Sequence, residues 1–447
     1  MLGALIDSIL YPGEIQAMVN MKYGGHFSGV KAFKGRLEDL PADISDWDFC
    51  YAVLNKVSRS FALVIQELPE TLKDGVCIFY LVLRGLDSVE DDQDVELGLK
   101  LKYLRRFSEE VLTDPTWSID NVGDTDDYRY LMTKFDRVTR CYQSLSSGFQ
   151  KTIADITTRM GNGMADFVEK EKVVTTADYD LYCHYVAGLV GIGLIQLFSE
   201  SGLEDPQLRE EEELANRMGL FLQKTNIIRD YLEDLDVGRV WWPVEVYQRH
   251  GFADISDIRA NPSSPEAQAV LQDLVCNAVE LIPDCLRFMS LLKHPQIFKF
   301  CAIPQVMAIA TLEKLYNNPR VYTGVVKIRK GTSCYLILHT ENMAALNDIF
   351  ADYSRRILYR VNDTDYNAEV TRSRLREAID AARLDPSTPA EYGYGLLPYT
   401  RDCLQHNIRP VLATTLAAGG LYYAFKKGWL QRPIEEITNR FISLPSP

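Results

Sequence analysis

Residues 77–91, CIFYLVLRGLDSVED, decide the fold of this chain, and residues 223–234, QKTNIIRDYLED, repeat their ending. Each stretch closes on three carboxylates at i, i+3 and i+4: Asp87, Glu90 and Asp91 in the first, Asp230, Glu233 and Asp234 in the second. On a helix that spacing puts the three on one face, about one turn apart. An isolated acidic triplet of this kind is usually a solvated helix face. Here the residues in front of it argue otherwise, because 77–83 are apolar all round and much of 218–228 is too, so both helices read as buried. Buried carboxylates need partners. Tyr80, Arg84, Asp87 and Asp91 share one stripe, and Gln223, Asn226, Asp230 and Asp234 form a similar one. Polar stripes on apolar helices predict a wet central cavity in an all-α bundle, and two such faces opposed across it would hold divalent cations and grip a diphosphate. Hard oxygen ligands with room for water suit Mg²⁺, with Mn²⁺ as the alternative ion.

The 447 residues are 47% hydrophobic and 11% aromatic, enough for a large core in one or two domains. A net charge of -14 argues against nucleic acid as a partner. Nine scattered cysteines without CxxC spacing read as reduced core residues, and six histidines show no zinc-ligand spacing. The start, MLGALIDSILYPGE, lacks the basic opening and long apolar centre of a secretory signal, so the main domain is expected to stay in the cytosol.

Helical periodicity covers 49–68, 72–91, 125–147, 150–171, 179–199, 209–235, 265–292 and 304–316, whereas 321–338 is richer in β-branched residues and reads as a loop with extended character. The expected organisation is an N-terminal segment (1–48), a catalytic domain (49–380), a Pro-, Gly- and Ser-rich linker (384–408), a candidate membrane anchor (409–430) and a tail (431–447). Residues 411–425 are uncharged and flanked by Arg409, Lys426 and Lys427, with Tyr422, Tyr423 and Trp429 near one end. That run is shorter than the roughly 20 residues that span a bilayer, but its flanks suit an interfacial anchor.

Longer strings narrow the chemistry. VSRSF (57–61), FYLVLR (79–84), YCHYVAGLVG (182–191), QKTNIIRD (223–230), FCAIPQVMAIA (300–310) and KIRKG (327–331) resemble the squalene synthases, from about residue 49 to 331. The resemblance implies an all-α isoprenoid-synthase bundle around a central cavity. It also implies a monomer at the endoplasmic reticulum membrane with the catalytic domain facing the cytosol. The implied reaction joins two farnesyl diphosphates head to head through presqualene diphosphate, which NADPH then reduces to squalene. The alternatives are a phytoene-synthase-like prenyltransferase without reduction and a catalytically silent diphosphate-binding scaffold.

By the same likeness the six motif carboxylates hold the metal ions. Ser58, Arg59 and Ser60 match the family's diphosphate-binding segment, and an arginine fork suits phosphate oxygens. Tyr80, Arg84 and Arg229 stand beside the acid motifs, for charge neutralisation or diphosphate contact, and Arg84 could serve only to balance Asp87. Tyr182 occupies the position of the proton-transferring tyrosine; with an ordinary pKa of about 10 it needs nearby cations to lower that value or released diphosphate to accept the proton. Phe300 matches a pocket aromatic whose π face stabilises a carbocation. Gly188-x-x-Gly191-x-Gly193 lies within a helical run and is no Rossmann fingerprint; its small residues let two helices approach. NADPH is therefore assigned, by resemblance, to Asn226 and the basic flap Lys327, Arg329 and Lys330.

Overall fold

In the computed structural model, residues 12–24, 33, 35–58, 61–170 and 172–383 are described. Their regular elements are all helical, with no strand among them, as the periodicity predicts. The first acid helix, Glu70–Asp91, runs through the centre of the bundle. From Gly75 to its end every residue is buried except Tyr80, Arg84, Asp87 and Asp91, which are half-buried, the stripe expected from the spacing. Everything else on that stretch is packed in the core.

The helical span Thr176–Glu200 lies against the second acid helix, Glu212–Arg229, at unusually short range. A Cβ on Gly191 would sit 2.4 Å from the Ala215 carbonyl oxygen, and one on Gly219 would sit 2.3 Å from that of Ala187. Glycine is required at both positions because backbone meets backbone there, the close-approach role expected of the glycines. The same span and Pro295–Leu315 are long and apolar enough to cross a membrane, but most of each is buried inside the bundle. Both are core helices.

Several spans that read as single helices are broken. Residues 209–235 divide into a 3₁₀ turn, the second acid helix, and a short helix Tyr231–Asp236, with Asp230 at the junction (φ -92°, ψ 13°). Residues 49–68 divide into Asp46–Val57 and Phe61–Gln66, and residues 265–292 into Pro265–Val279 and Ile282–Leu291. Periodicity survives such breaks because each apolar face stays on the core. Conversely, the helix expected to start at Pro304 starts at Pro295 and runs straight through that proline. Proline favours a first turn but is tolerated inside when packing on both sides holds the helix.

The 321–338 segment departs furthest from expectation. Only 323–329 is irregular; a 3₁₀ turn, Pro319–Tyr322, precedes it and a helix, Lys330–His339, follows. That helix packs on an N-terminal helix, Pro12–Tyr23. Tertiary packing overrides the weak β-propensity of its residues. Cys50, Cys77, Cys141, Cys183, Cys276, Cys285 and Cys301 are buried and unpaired, in keeping with a reduced chain. The expected linker, anchor and tail lie outside the described residues.

Candidate active site

The two acid motifs meet at one place, and an arginine absent from the sequence reading joins them. Arg239 contacts Asp91 through Nη1, and its Nη2 lies 3.2 Å from Asp234 Oδ1. Its position follows from how the short helix after Asp230 ends. Gly238 adopts φ +77°, a left-handed conformation natural to glycine. The Gly238 N–H donates to Leu235 O at 3.1 Å, and the Arg239 N–H donates to Asp234 O at 2.9 Å. These two bonds form a Schellman motif, which turns the chain back on its own helix and leaves Arg239 beside the acid face. The next residues continue the site. Trp241 stacks on Tyr182, ring centroids 4.0 Å apart and planes 10° from parallel. Trp242 is buried, and its indole N–H donates to Ile227 O at 3.0 Å, which pins the loop to the second acid helix.

Around the first motif, Arg84 Nη1 stands 3.3 Å from Asp87 Oδ2, and the Tyr80 hydroxyl donates to Val57 O at 3.2 Å. Arg84 also lies over the rings of Tyr80 and Tyr128, at 5.8 and 5.3 Å. Around the second motif, Arg229 forks onto its neighbour Asp230, with Nε–Oδ1 at 2.7 Å. Each arginine is thus ion-paired with an aspartate of its own motif. Ser58 is buried, and its hydroxyl donates to Leu54 O at 2.6 Å; Arg59 and Ser60 lie outside the described residues. The flap is divided. Lys327 Nζ lies 3.7 Å from Glu233 Oε1, whereas Arg329 turns to the buried Glu14 of the N-terminal helix, with Nε–Oε2 at 3.0 Å. Lys330 opens the flap helix and is exposed, and Asn226 sits one turn before Asp230, accepting its N–H at 2.8 Å.

An apolar cavity of about 150 Å³ begins at Arg84, Asp87 and Tyr80. It continues between Phe61, Phe79, Val186, Leu194 and Phe300. Charged and apolar side chains line one space, which suits a hydrocarbon chain with a polar end.

Charge crowding at the motifs is severe. Burial, against Arg84 and with help from Asp91, pushes Asp87 up to about 6. Burial likewise pushes Asp234 up to about 7 despite Arg239, with Asp230 and Asp91 adding to the rise. Glu90 is driven well above its ordinary value by burial and by Asp91 and Asp87, and its Oε1 is buried without a hydrogen-bond partner. Tyr182, almost wholly buried, is held well above 10 by burial and then by Glu90 and Asp91.

An orphaned carboxylate oxygen and underneutralised aspartates fit a divalent cation. No group of three or more Asp, Glu, His or Cys converges on one point among the described residues. That arrangement still suits Mg²⁺, which takes one or two carboxylates and fills its remaining positions with water and phosphate oxygens.

The raised aspartates have a measurable consequence. Because folded Asp87 and Asp234 bind protons more tightly than the unfolded chain, their ionisation costs stability as pH rises from about 4 through 6 to 7. In chelator, denaturant unfolding of Asp87→Asn/Asp234→Asn is expected to show a gain over the parent at pH 8, on the order of 2 kcal/mol, that shrinks toward pH 5. A gain independent of pH would assign it to packing rather than to charge.

Fold and site together define the all-α isoprenoid-synthase class. The squalene/phytoene synthase family model matches residues 54–332. The chain is 48% identical to squalene synthase of Solanum lycopersicum over 86% of its own length and 90% of that relative's. It is 43% identical to squalene synthase of Dictyostelium discoideum over 84% and 88%. A solved structure, the complex of TcSQS with the ligand BPH1237, superposes with a TM-score of 0.73 at 42% identity, covering 75% of this chain and 98% of that one. The chain belongs to the squalene/phytoene synthase family.

Proposed function

We propose that this protein is a squalene synthase, joining two farnesyl diphosphates head to head to presqualene diphosphate and reducing that with NADPH to squalene. The observation that carries the reading is the meeting of the two acid motifs near Tyr182, with Arg84 and Asp87 of the first motif also lining an apolar cavity. Asp87, Glu90, Asp91, Asp230, Glu233 and Asp234 would hold Mg²⁺, which when bound supplies positive charge to the departing diphosphate. Arg84, Tyr80 and Arg229 stand where they can take over phosphate charge as it leaves, joined by Arg59 with Ser58 and Ser60. The slot past Phe300 excludes water from the carbocation and offers it aromatic faces instead of nucleophiles.

We assign to Tyr182 the transfer of the proton lost on cyclopropane formation. Burial first, and then Glu90 and Asp91, hold that proton on the phenol, so neutralising the carboxylates eases its release. Deprotonation is thereby favoured in a loaded site. NADPH is assigned to Asn226, Lys327, Arg329 and Lys330; the placement of Lys327 beside Glu233 supports a flap that closes over the second motif. We further assign the catalytic domain to the cytosolic face of the endoplasmic reticulum, attached through residues 409–430.

Product analysis with farnesyl diphosphate and Mg²⁺ tests the reading. Squalene is expected with NADPH and presqualene diphosphate without it. Phytoene-type dehydrogenated C30 product in both arms would assign the non-reducing branch of the family, and no turnover in either would leave a diphosphate-binding protein.

A further inference from the structure

Arg239 does something at this site that the six carboxylates alone do not explain. It is the one described side chain seen bonding a carboxylate from each acid motif, Asp91 on the first and Asp234 on the second. Three features make that bridge deliberate. The Schellman turn at Gly238 fixes where Arg239 leaves the backbone. The stack of Trp241 on Tyr182 and the indole bond of Trp242 fix the loop that follows. Arg239 also keeps a buried Nε without a hydrogen-bond partner, so its fork is spent on the carboxylates at the expense of its own third donor.

A guanidinium bonded to both carboxylates and a Mg²⁺ that would be held by either of them compete for the same oxygens. The ion needs oxygens at 2.0–2.1 Å in near-octahedral order, and two cations in contact repel strongly in a partly buried site. We infer that Arg239 is a built-in counterion that Mg²⁺ must displace from Asp91 and Asp234, and that the freed guanidinium then takes up the diphosphate. The inference rests on the proposed metal role of the acid motifs.

The exchange couples the two ligands. Without diphosphate, Arg239 competes with the ion and weakens its binding. With diphosphate present the fork has anionic oxygens to move to, for which a planar guanidinium is well suited, and the competition ends. Metal and diphosphate therefore bind with positive linkage, each raising the affinity of the other by the same factor. The arrangement also keeps the two acid helices from repelling one another before the ion enters, and ties arrival of the full charge set to arrival of substrate.

Mn²⁺ binding, followed by calorimetry and by the electron-spin signal of the free ion with and without inorganic pyrophosphate, tests this on the full chain. For Arg239→Gln, Mn²⁺ alone is expected to bind about tenfold tighter than in the parent. The strengthening of Mn²⁺ binding by pyrophosphate should shrink by about the same factor, leaving only the direct coupling of the ion to the phosphate oxygens. Arg239→Lys and Gly238→Ala keep a cation nearby but loosen the fork, and should shift both quantities in the same direction by less; they carry the test if Arg239→Gln does not fold. Equal Mn²⁺ affinity in the parent and all folded Arg239 and Gly238 variants, with Asp91→Asn binding weakly, would overturn the counterion role and leave the metal assignment standing. Mn²⁺ affinity unchanged by Asp91→Asn and Asp234→Asn alike would overturn the metal assignment and this inference with it.

Discussion

Asp91→Asn and Asp234→Asn are each expected to lower turnover by about a hundredfold or more. Asparagine keeps the size and one carbonyl oxygen of aspartate, so the helices should pack as before and only a unit of negative charge is lost. If that charge holds an ion against the departing diphosphate, its removal withdraws several kcal/mol of transition-state stabilisation, and each 1.36 kcal/mol is worth about tenfold in rate. The two substitutions should be far from additive, because Asp91 and Asp234 are joined through the same guanidinium and would share the same ions. Stability should not fall with activity: Asp234 is already pushed up to about 7, so replacing it relieves crowding. Steady-state rates at saturating Mg²⁺, with unfolding curves on the same samples, separate the outcomes. Rates near the parent's in a folded variant would remove these residues from the metal site.

Tyr182→Phe should abolish formation of the cyclopropyl intermediate while substrate binding stays nearly intact. The substitution keeps the ring that stacks on Trp241 at 4.0 Å and meets Phe167 edge-on at 5.2 Å, so the packing that positions it survives. Only the hydroxyl goes. General acid–base groups contribute about 10²- to 10⁴-fold, and a loss in that range is expected in single-turnover formation of presqualene diphosphate, with little change in the half-saturating substrate concentration. Trp241→Ala should mimic part of this, since an unstacked tyrosine loses its orientation toward Glu90 and Asp91. Intermediate formed at the parental rate in Tyr182→Phe would make the tyrosine structural. The raised pKa of Tyr182 predicts a further dependence: its chemistry should gain from the metal even where binding does not, because Glu90 and Asp91 add to burial in holding its proton and a bound cation offsets their share.

The all-helical fold and both acid faces were legible because they rest on local rules. A carboxylate at i, i+3 and i+4 shares a face wherever a helix forms, and the stripe of Tyr80, Arg84, Asp87 and Asp91 emerged as the half-buried line on the otherwise buried part of its helix from Gly75 onward. The glycine spacing near Gly191 likewise foretold a backbone-to-backbone contact. Helix ends were less legible: the break at Asp230 and the run through Pro304 depend on neighbours packed from elsewhere in the chain.

Arg239 and Trp241 escaped notice although a signal was present, a glycine followed by arginine just past a helix end. That pattern says where the chain turns and nothing about what the arginine meets. The flap arginine is similar. Its basic run suggests an anion, yet Arg329 faces Glu14, more than 300 positions earlier in the chain. The sequence by itself determined that the chain is helical and which residues of the two acid motifs share a polar stripe, because those depend on periodicity and side-chain chemistry. Only the tertiary structure decided that the two acid faces meet through Arg239, that Trp241 supports Tyr182 and that the flap is anchored by the N-terminal helix. Pairing across long stretches of chain is a property of packing, and no local spacing encodes it.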